Sequence, residues 1–144
     1  MQTAKHILFV EDDPKDIELT LIALKKISFG REIVVVHDGA EALDYLFYRG
    51  KYIERGKRNP ILIIIDLKMP KVDGIQVLKE IKDHNTTELI PIVVLTSSKE
   101  PCDIEMCYKL GANAYVVKPV QFAEFGEKVR VIAEFWINAN ESPP

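Results

Sequence analysis

The sequence is short of the residues that build thiol and imidazole chemistry. Its two cysteines, Cys102 and Cys107, have neither C-x-x-C spacing nor the density of a disulfide framework. A helix would turn them to different faces, so both read as inert packing thiols. Its three histidines, His6, His37 and His84, are scattered without an H-x-x-x-H pair, which argues against a histidine-based metal site. No apolar run approaches the roughly 18–20 residues of a transmembrane helix. Nor does Met1 to Val10 resemble a signal peptide, because only Ile7 to Val10 is apolar before three acids follow. The chain is therefore expected to be neither inserted in a membrane nor secreted, and to work in the cytoplasm. Positive charge is not in excess: 19 Lys and Arg against 22 Asp and Glu leave a net −3, which removes the broad electrostatic basis for nucleic-acid binding. The nucleotide-binding patterns G-x-x-x-x-G-K-[ST] and G-x-G-x-x-G do not occur.

What is present is the composition of one globular domain. The 144 residues, 47% hydrophobic and 28% charged, suffice for a single core and would be cramped as two. One domain over 1–144 is expected, with a folded core over 5–137 and a polar tail, 138–144, ending in Pro143-Pro144. Five short apolar runs recur: Ile7 to Val10, Ile33 to Val36, Ile61 to Ile65, Ile92 to Leu95 and Ala114 to Val117. They are rich in β-branched residues and show no in-out alternation, as parallel strands buried on both faces should. The spacing between them leaves room for a crossover helix each time. The pattern predicts an α/β domain with a doubly wound, five-stranded parallel sheet.

Helix signals fill the gaps. Asp13-Pro14 reads as an N-cap followed by a first-turn proline, with Asp16 adding negative charge at the start of a helix over 14–27. Asp38-Gly39 and Asp73-Gly74 precede the second and third helices, and a shorter fourth covers about 102–110. Phe122, Phe125, Val129, Ile132 and Trp136 form a continuous 3-4-3-4 stripe on the fifth. At about 100° per residue, Val131 and Phe135 fall outside that stripe. The basic segment Arg49 to Asn59 reads as a surface excursion.

In such sheets, ligands bind beyond the carboxyl ends of the strands. There the sequence places Glu11-Asp12-Asp13 after the first run, Asp66 after the third, Thr96-Ser97-Ser98 after the fourth and Lys118-Pro119 after the fifth. Any one of these acids alone would more often be a helix cap or a solvated turn, and Asp13 is such a cap. Together, acids, a hydroxyl and a lysine converge on one edge. Neighbouring carboxylates there need a compensating cation. An oxygen-rich site with room for water suits Mg²⁺, with Mn²⁺ as a substitute, and Mg²⁺ commonly works beside phosphoryl groups. Thr96 and Lys118 would hold phosphoryl oxygens. Asp66, following the most apolar run, is the candidate nucleophile, and backbone carbonyls of the loop after it would complete the metal shell.

These residues resemble the receiver domain of two-component response regulators, a flavodoxin-like α/β/α fold with strand order 2-1-3-4-5. The resemblance rests on Ile7 to Pro14, Asp66 to Gly74, Leu95 to Ser98 and Gly111 to Pro119, and covers nearly the whole chain. It implies that Asp66 accepts a phosphoryl group from a histidine kinase phosphohistidine. It also implies that Asp12, Asp66 and the Lys68 carbonyl ligate Mg²⁺, with Glu11 acting through water. Glu11 departs from the family's frequent Asp-Asp pair by one methylene. By the same resemblance Thr96 is the switch hydroxyl, Lys118 the phosphoryl-contacting lysine and Tyr115 the rotamer-switching aromatic. The Lys118-Pro119 bond is expected to be cis. Lys68 and Ser98, two positions beyond Asp66 and Thr96, are assigned to tuning the phosphoryl lifetime.

The segment Tyr45 to Asn59 and the ending Glu134-Phe135-Trp136 further resemble small regulators that partner phytochrome-type histidine kinases. The implied output is a changed surface at the fourth helix, fifth strand and fifth helix. It would act on protein partners or through a homodimer using Val131 and Phe135. Two rivals remain. A haloacid-dehalogenase-like phosphatase shares the aspartate nucleophile but needs an acid two residues later, where this chain has Lys68. The other is a receiver-like interaction module that is never phosphorylated.

Overall fold

The computed structural model describes residues 5–27, 30–56 and 58–144. In chain order they form β1 (Ile7–Val10), α1 (Pro14–Ile27), β2 (Ile33–Val36), α2 (Gly39–Leu46), β3 (Leu62–Ile65), α3 (Gly74–Lys82), β4 (Ile92–Thr96), α4 (Pro101–Lys109), β5 (Ala114–Val117) and α5 (Phe122–Ala133). All strand pairs are parallel, in the order β2-β1-β3-β4-β5. The doubly wound sheet expected from the apolar runs is therefore present, with β3 starting one residue late and β4 extending to Thr96.

Two-residue periodicity divides each strand between two cores. Leu8, Val10, Ile63, Ile65 and Val94 face α2, α3 and α4, meeting Ala42, Leu46, Leu78, Ile81 and Cys107. Ile7, Phe9, Leu62, Ile64, Val93 and Leu95 face the other layer, meeting Leu24 of α1 and Phe125, Val129 and Ile132 of α5. Each such side chain contributes about 1.5–3 kcal/mol by leaving water. β1, β3 and β4 are buried throughout, whereas β2 and β5 are mostly only half-buried because each has a neighbour on one side alone.

The helix starts follow the aspartates. Asp38 accepts the Glu41 N–H at 2.7 Å and Asp73 the Gln76 N–H at 2.9 Å, while Asp13 accepts the Lys15 N–H at 2.9 Å. Gly74 is required by crowding: a Cβ there would lie 2.4 Å from the Asp66 carbonyl oxygen. Its absence lets the loop after β3 fold back against the strand end that carries Asp66.

Three expectations need correction. The α5 stripe does not run through: Phe122 is 67% exposed, and after Ala133 the helix widens into a π-turn, Glu134–Ala139. The wider turn carries Ile137, rather than Trp136, fully into the core. Cys107 is buried and its thiol is pushed up to about 11 by burial, but Cys102 is exposed and packs nothing. No cis peptide occurs among the described residues, so Lys118-Pro119 is trans. Only about 0.5–1 kcal/mol separates the X-Pro isomers, which makes sequence a weak guide to them. The basic excursion lies at the surface as expected, although its Lys57 lies outside the described residues, and is anchored there by two aromatic contacts and a hydrogen bond. The Arg55 guanidinium stacks at 4.1 Å over Tyr45 and 4.2 Å over Tyr48, and the Tyr52 hydroxyl donates to Glu41 at 2.6 Å.

At the opposite end of the sheet from the acids, buried His6 shares a 2.7 Å hydrogen bond with the Tyr45 hydroxyl. Burial first, then the Arg55 charge, holds its pKa below the ordinary 6.5. A lowered histidine pKa leaves full stability above the unfolded value and loses it as pH falls below, because the unfolded chain takes the proton first. Chemical denaturation of wild type and His6→Gln between pH 7.5 and 5 should therefore give a stability gap that shrinks on acidification. A pH-independent gap would contradict this account of His6.

Candidate functional site at the carboxyl edge of the sheet

Backbone hydrogen bonds carry the sheet pattern just past its strands. Glu11 N–H donates to the Val36 carbonyl at 3.0 Å, Asp66 to Val10 at 3.1 Å and Lys118 to Thr96 at 2.8 Å. Three side chains from three strand ends are thereby delivered to one edge. With Asp12, Asp13, Asp16, Lys68 and Ser97 they line an open cavity of about 480 Å³.

At its centre lies the Lys118 ammonium. It donates to Asp66 Oδ2 at 2.7 Å, to Asp16 Oδ2 at 2.8 Å and to the two Glu11 carboxylate oxygens at 3.1 and 3.2 Å. The Asp66 Oδ1 atom is turned to the loop, accepting the Leu67 N–H at 2.6 Å and the Lys68 N–H at 3.4 Å. Glu11 is fully buried and Asp66 is 7% exposed.

This arrangement splits the two carboxyls. Burial, then the Asp66 charge, pushes Glu11 up to about 8, against the pull of Lys118. Burial also raises Asp66, but its hydrogen bond and charge contact with Lys118 outweigh that, with help from Thr96, and hold it below the usual carboxylate range. Lys118 is moved down by burial and more strongly up by its bonds to Asp16 and Asp66, so it stays charged. Asp66 is thus kept anionic beside a group that competes with it for one ammonium.

The remaining predicted residues are also placed. Thr96 Oγ1 is buried and has no hydrogen-bond partner of ordinary geometry. A buried hydroxyl without a partner is costly, and this one ends the strand next to Asp66. The Tyr115 hydroxyl donates to the Ser98 carbonyl at 2.9 Å. Ser98 itself is buried and donates to Asp103 Oδ2 at 2.6 Å, while Ser97 takes the position on the cavity wall. Asp12 and Lys68 are exposed at the mouth. Val131 and Phe135 do not join this site; they are 51% and 50% exposed on α5 and the π-turn after it.

Sequence reasoning missed two acids. Asp16 was read only as a helix-start charge, yet it follows the cap Asp13 by three residues, which one helical turn brings to the same end. Asp103 carried no signal, because its link to Ser98 depends on how α4 docks.

As to a metal, among the described residues no three His, Cys, Asp or Glu side chains stand ready-made as a ligand cluster. The donor chemistry nevertheless fits a hard divalent cation. Asp12, Asp66 and the loop carbonyls are all oxygen donors, and three carboxylates, Glu11, Asp16 and Asp66, share one ammonium beside them.

Known proteins share this arrangement of elements. The model of the response regulator receiver domain family matches residues 7–130. The chain is 38% identical over 138 residues to the probable methanogenesis regulatory protein FilR2 of Methanothrix harundinacea, covering 95% of this chain and 86% of that one. It is 37% identical over 139 residues to response regulator Rcp1 of Synechocystis, covering 96% and 93%. The Mn²⁺-bound form of Rcp1 superposes with a TM-score of 0.92 at 35% identity, over 98% of this chain and all of that one. The phosphorylated cyanobacterial phytochrome response regulator RcpA gives 0.93 at 39% identity, over 99% of this chain and all of the other. Among the described residues no helix is long and apolar enough to cross a membrane.

Proposed function

The chain belongs to the response regulator receiver domain family of phosphorelay signalling, and we propose that Asp66 is its phosphoacceptor. The family is a signalling module rather than a classical enzyme. The observation that carries the proposal is the pairing of an anionic, nearly buried Asp66 with the Lys118 ammonium at 2.7 Å, beside the buried hydroxyl of Thr96.

An Asp66 carboxylate oxygen attacks phosphorus, the P–N bond of a kinase phosphohistidine breaks, and the imidazole leaves with the electron pair. Lys118 faces the charge gathering on the transferring oxygens. Thr96 then donates to a phosphoryl oxygen, and Tyr115 reports that movement through its bond to Ser98. Asp12, Asp66 and the Lys68 carbonyl would hold Mg²⁺, or Mn²⁺ in its place, with Glu11 contacting it through water. The cation would supply further neutralisation of phosphoryl charge. Water later cleaves the acyl phosphate, returning the Asp66 carboxylate and inorganic phosphate. Lys68 and Ser98 set how fast this happens.

The partner is a histidine kinase of the phytochrome type, a reading supported by the likeness to the phytochrome response regulator RcpA, and the setting is the cytoplasm. The output surface is α4, β5 and α5, where exposed Val131 and Phe135 support a homodimer. No role in nucleic-acid binding is assigned.

Intact-protein mass after incubation with acetyl phosphate and Mg²⁺ should show one phosphoryl adduct that EDTA prevents and Asp66→Asn abolishes. In the same series Lys68→Ala and Ser98→Ala should alter the adduct half-life. An Asp66→Asn protein that is still modified would refute the assignment. No wild-type adduct even from a phosphorylated kinase would favour the never-phosphorylated module. For the surface, Val131→Lys with Phe135→Lys should halve the mass seen by light scattering, and an unchanged mass would exclude this dimer.

A further inference from the structure

Asp16 is an acid of the cavity to which neither phosphoryl transfer nor metal binding gives a task. Its carboxylate comes from the first turn of α1, is 23% exposed, and reaches the Lys118 ammonium at 2.8 Å. An ammonium has three N–H donors and no acceptor. In this structure three carboxylates, Glu11, Asp16 and Asp66, share those three donors. The lysine is fully subscribed before any phosphoryl group arrives.

Phosphorylation of Asp66 replaces the single charge of its carboxylate with the up to two charges of an acyl phosphate, now spread over phosphoryl oxygens that need at least one of those donors. Two effects of Asp16 oppose this. It retains a donor, and its own charge repels the phosphoryl group across the shared ammonium. Glu11 differs, because it is fully buried with both carboxylate oxygens on the lysine. Asp16 lies at the solvent margin, and water stabilises its charge whether or not Lys118 is held.

We propose that Asp16 is a positioning residue that competes with the phosphoryl group for Lys118 and thereby shortens the life of phosphorylated Asp66. The proposal rests on Asp66 being the phosphoacceptor. It also means that phosphorylation loosens a tie between the end of β5 and the first turn of α1, so the occupancy of Asp66 is felt on α1 as well as at Thr96.

The test uses the whole protein with Mg²⁺. Beryllofluoride, a phosphoryl mimic, is titrated by ¹⁹F NMR, and the half-life of the acetyl-phosphate adduct is followed by quenched mass spectrometry. Asp16→Asn keeps the size and removes the charge. It should tighten beryllofluoride binding and lengthen the half-life, each by about three- to tenfold, the scale of one ordinary hydrogen bond. Asp16→Gln, a second neutral variant, should follow it, and Asp16→Glu, which restores the charge, should return both readouts toward wild type. A purely structural role would not be rescued by charge in this way. An unchanged or shorter half-life in folded Asp16→Asn or Asp16→Gln, with a wild type that accepts the mimic, overturns this inference alone. A wild type that takes neither mimic nor phosphoryl group overturns the phosphoacceptor reading with it.

Discussion

The Lys118 ammonium is the constraint on which the site depends. Parallel strands bring their carboxyl ends to one edge, and this chain ends two adjacent strands in acids. Glu11 and Asp66 could not both remain charged there without a cation between them. Lys118 supplies it from β5, two strands away from β3 across the sheet. Its bonds hold Asp66 anionic and draw in Asp16 from α1, while burial and the Asp66 charge push Glu11 up to about 8.

From that arrangement the chemistry and the signal share a cause. A carboxylate kept charged and nearly dry is a competent nucleophile, and any phosphoryl group placed on it must renegotiate the one ammonium. The renegotiation reaches outward along short links. Thr96 turns to a phosphoryl oxygen, while Tyr115 is tied to Ser98 and Ser98 to the first turn of α4 through Asp103. The same local event thus touches three elements around the sheet edge, which is what a population shift between two surfaces requires. The His6, Tyr45 and Arg55 cluster closes the opposite end of the sheet and leaves this edge free to change.

Much of this was legible in the chain. Runs such as Ile61 to Ile65 declare strands buried on both faces, and an aspartate before a glycine declared α2 and α3 as capped helices. The acids, hydroxyl and lysine at the strand ends announced the site because a parallel sheet lines up its carboxyl ends. Other features depend on contacts that no local pattern encodes. The reach of Asp16 to Lys118 spans 102 positions of sequence, and the stacking of Arg55 on Tyr45 and Tyr48 anchors the surface segment to the end of α2 and the turn after it. The π-turn at Glu134–Ala139 defeated the helical stripe because one wider turn shifts every later residue. The trans Lys118-Pro119 bond reflects an energy difference too small for sequence to decide.

The central claim is that Lys118 is held by the carboxylates and transfers to the phosphoryl group. ¹⁵N NMR of the lysine Nζ signals, with Lys118 assigned by Lys118→Arg, tests it most directly. The account predicts slowly exchanging Lys118 Nζ protons in the metal-free protein and a distinct shift on adding beryllofluoride with Mg²⁺. A solvent-like, rapidly exchanging Lys118 signal that ignores the mimic would contradict it.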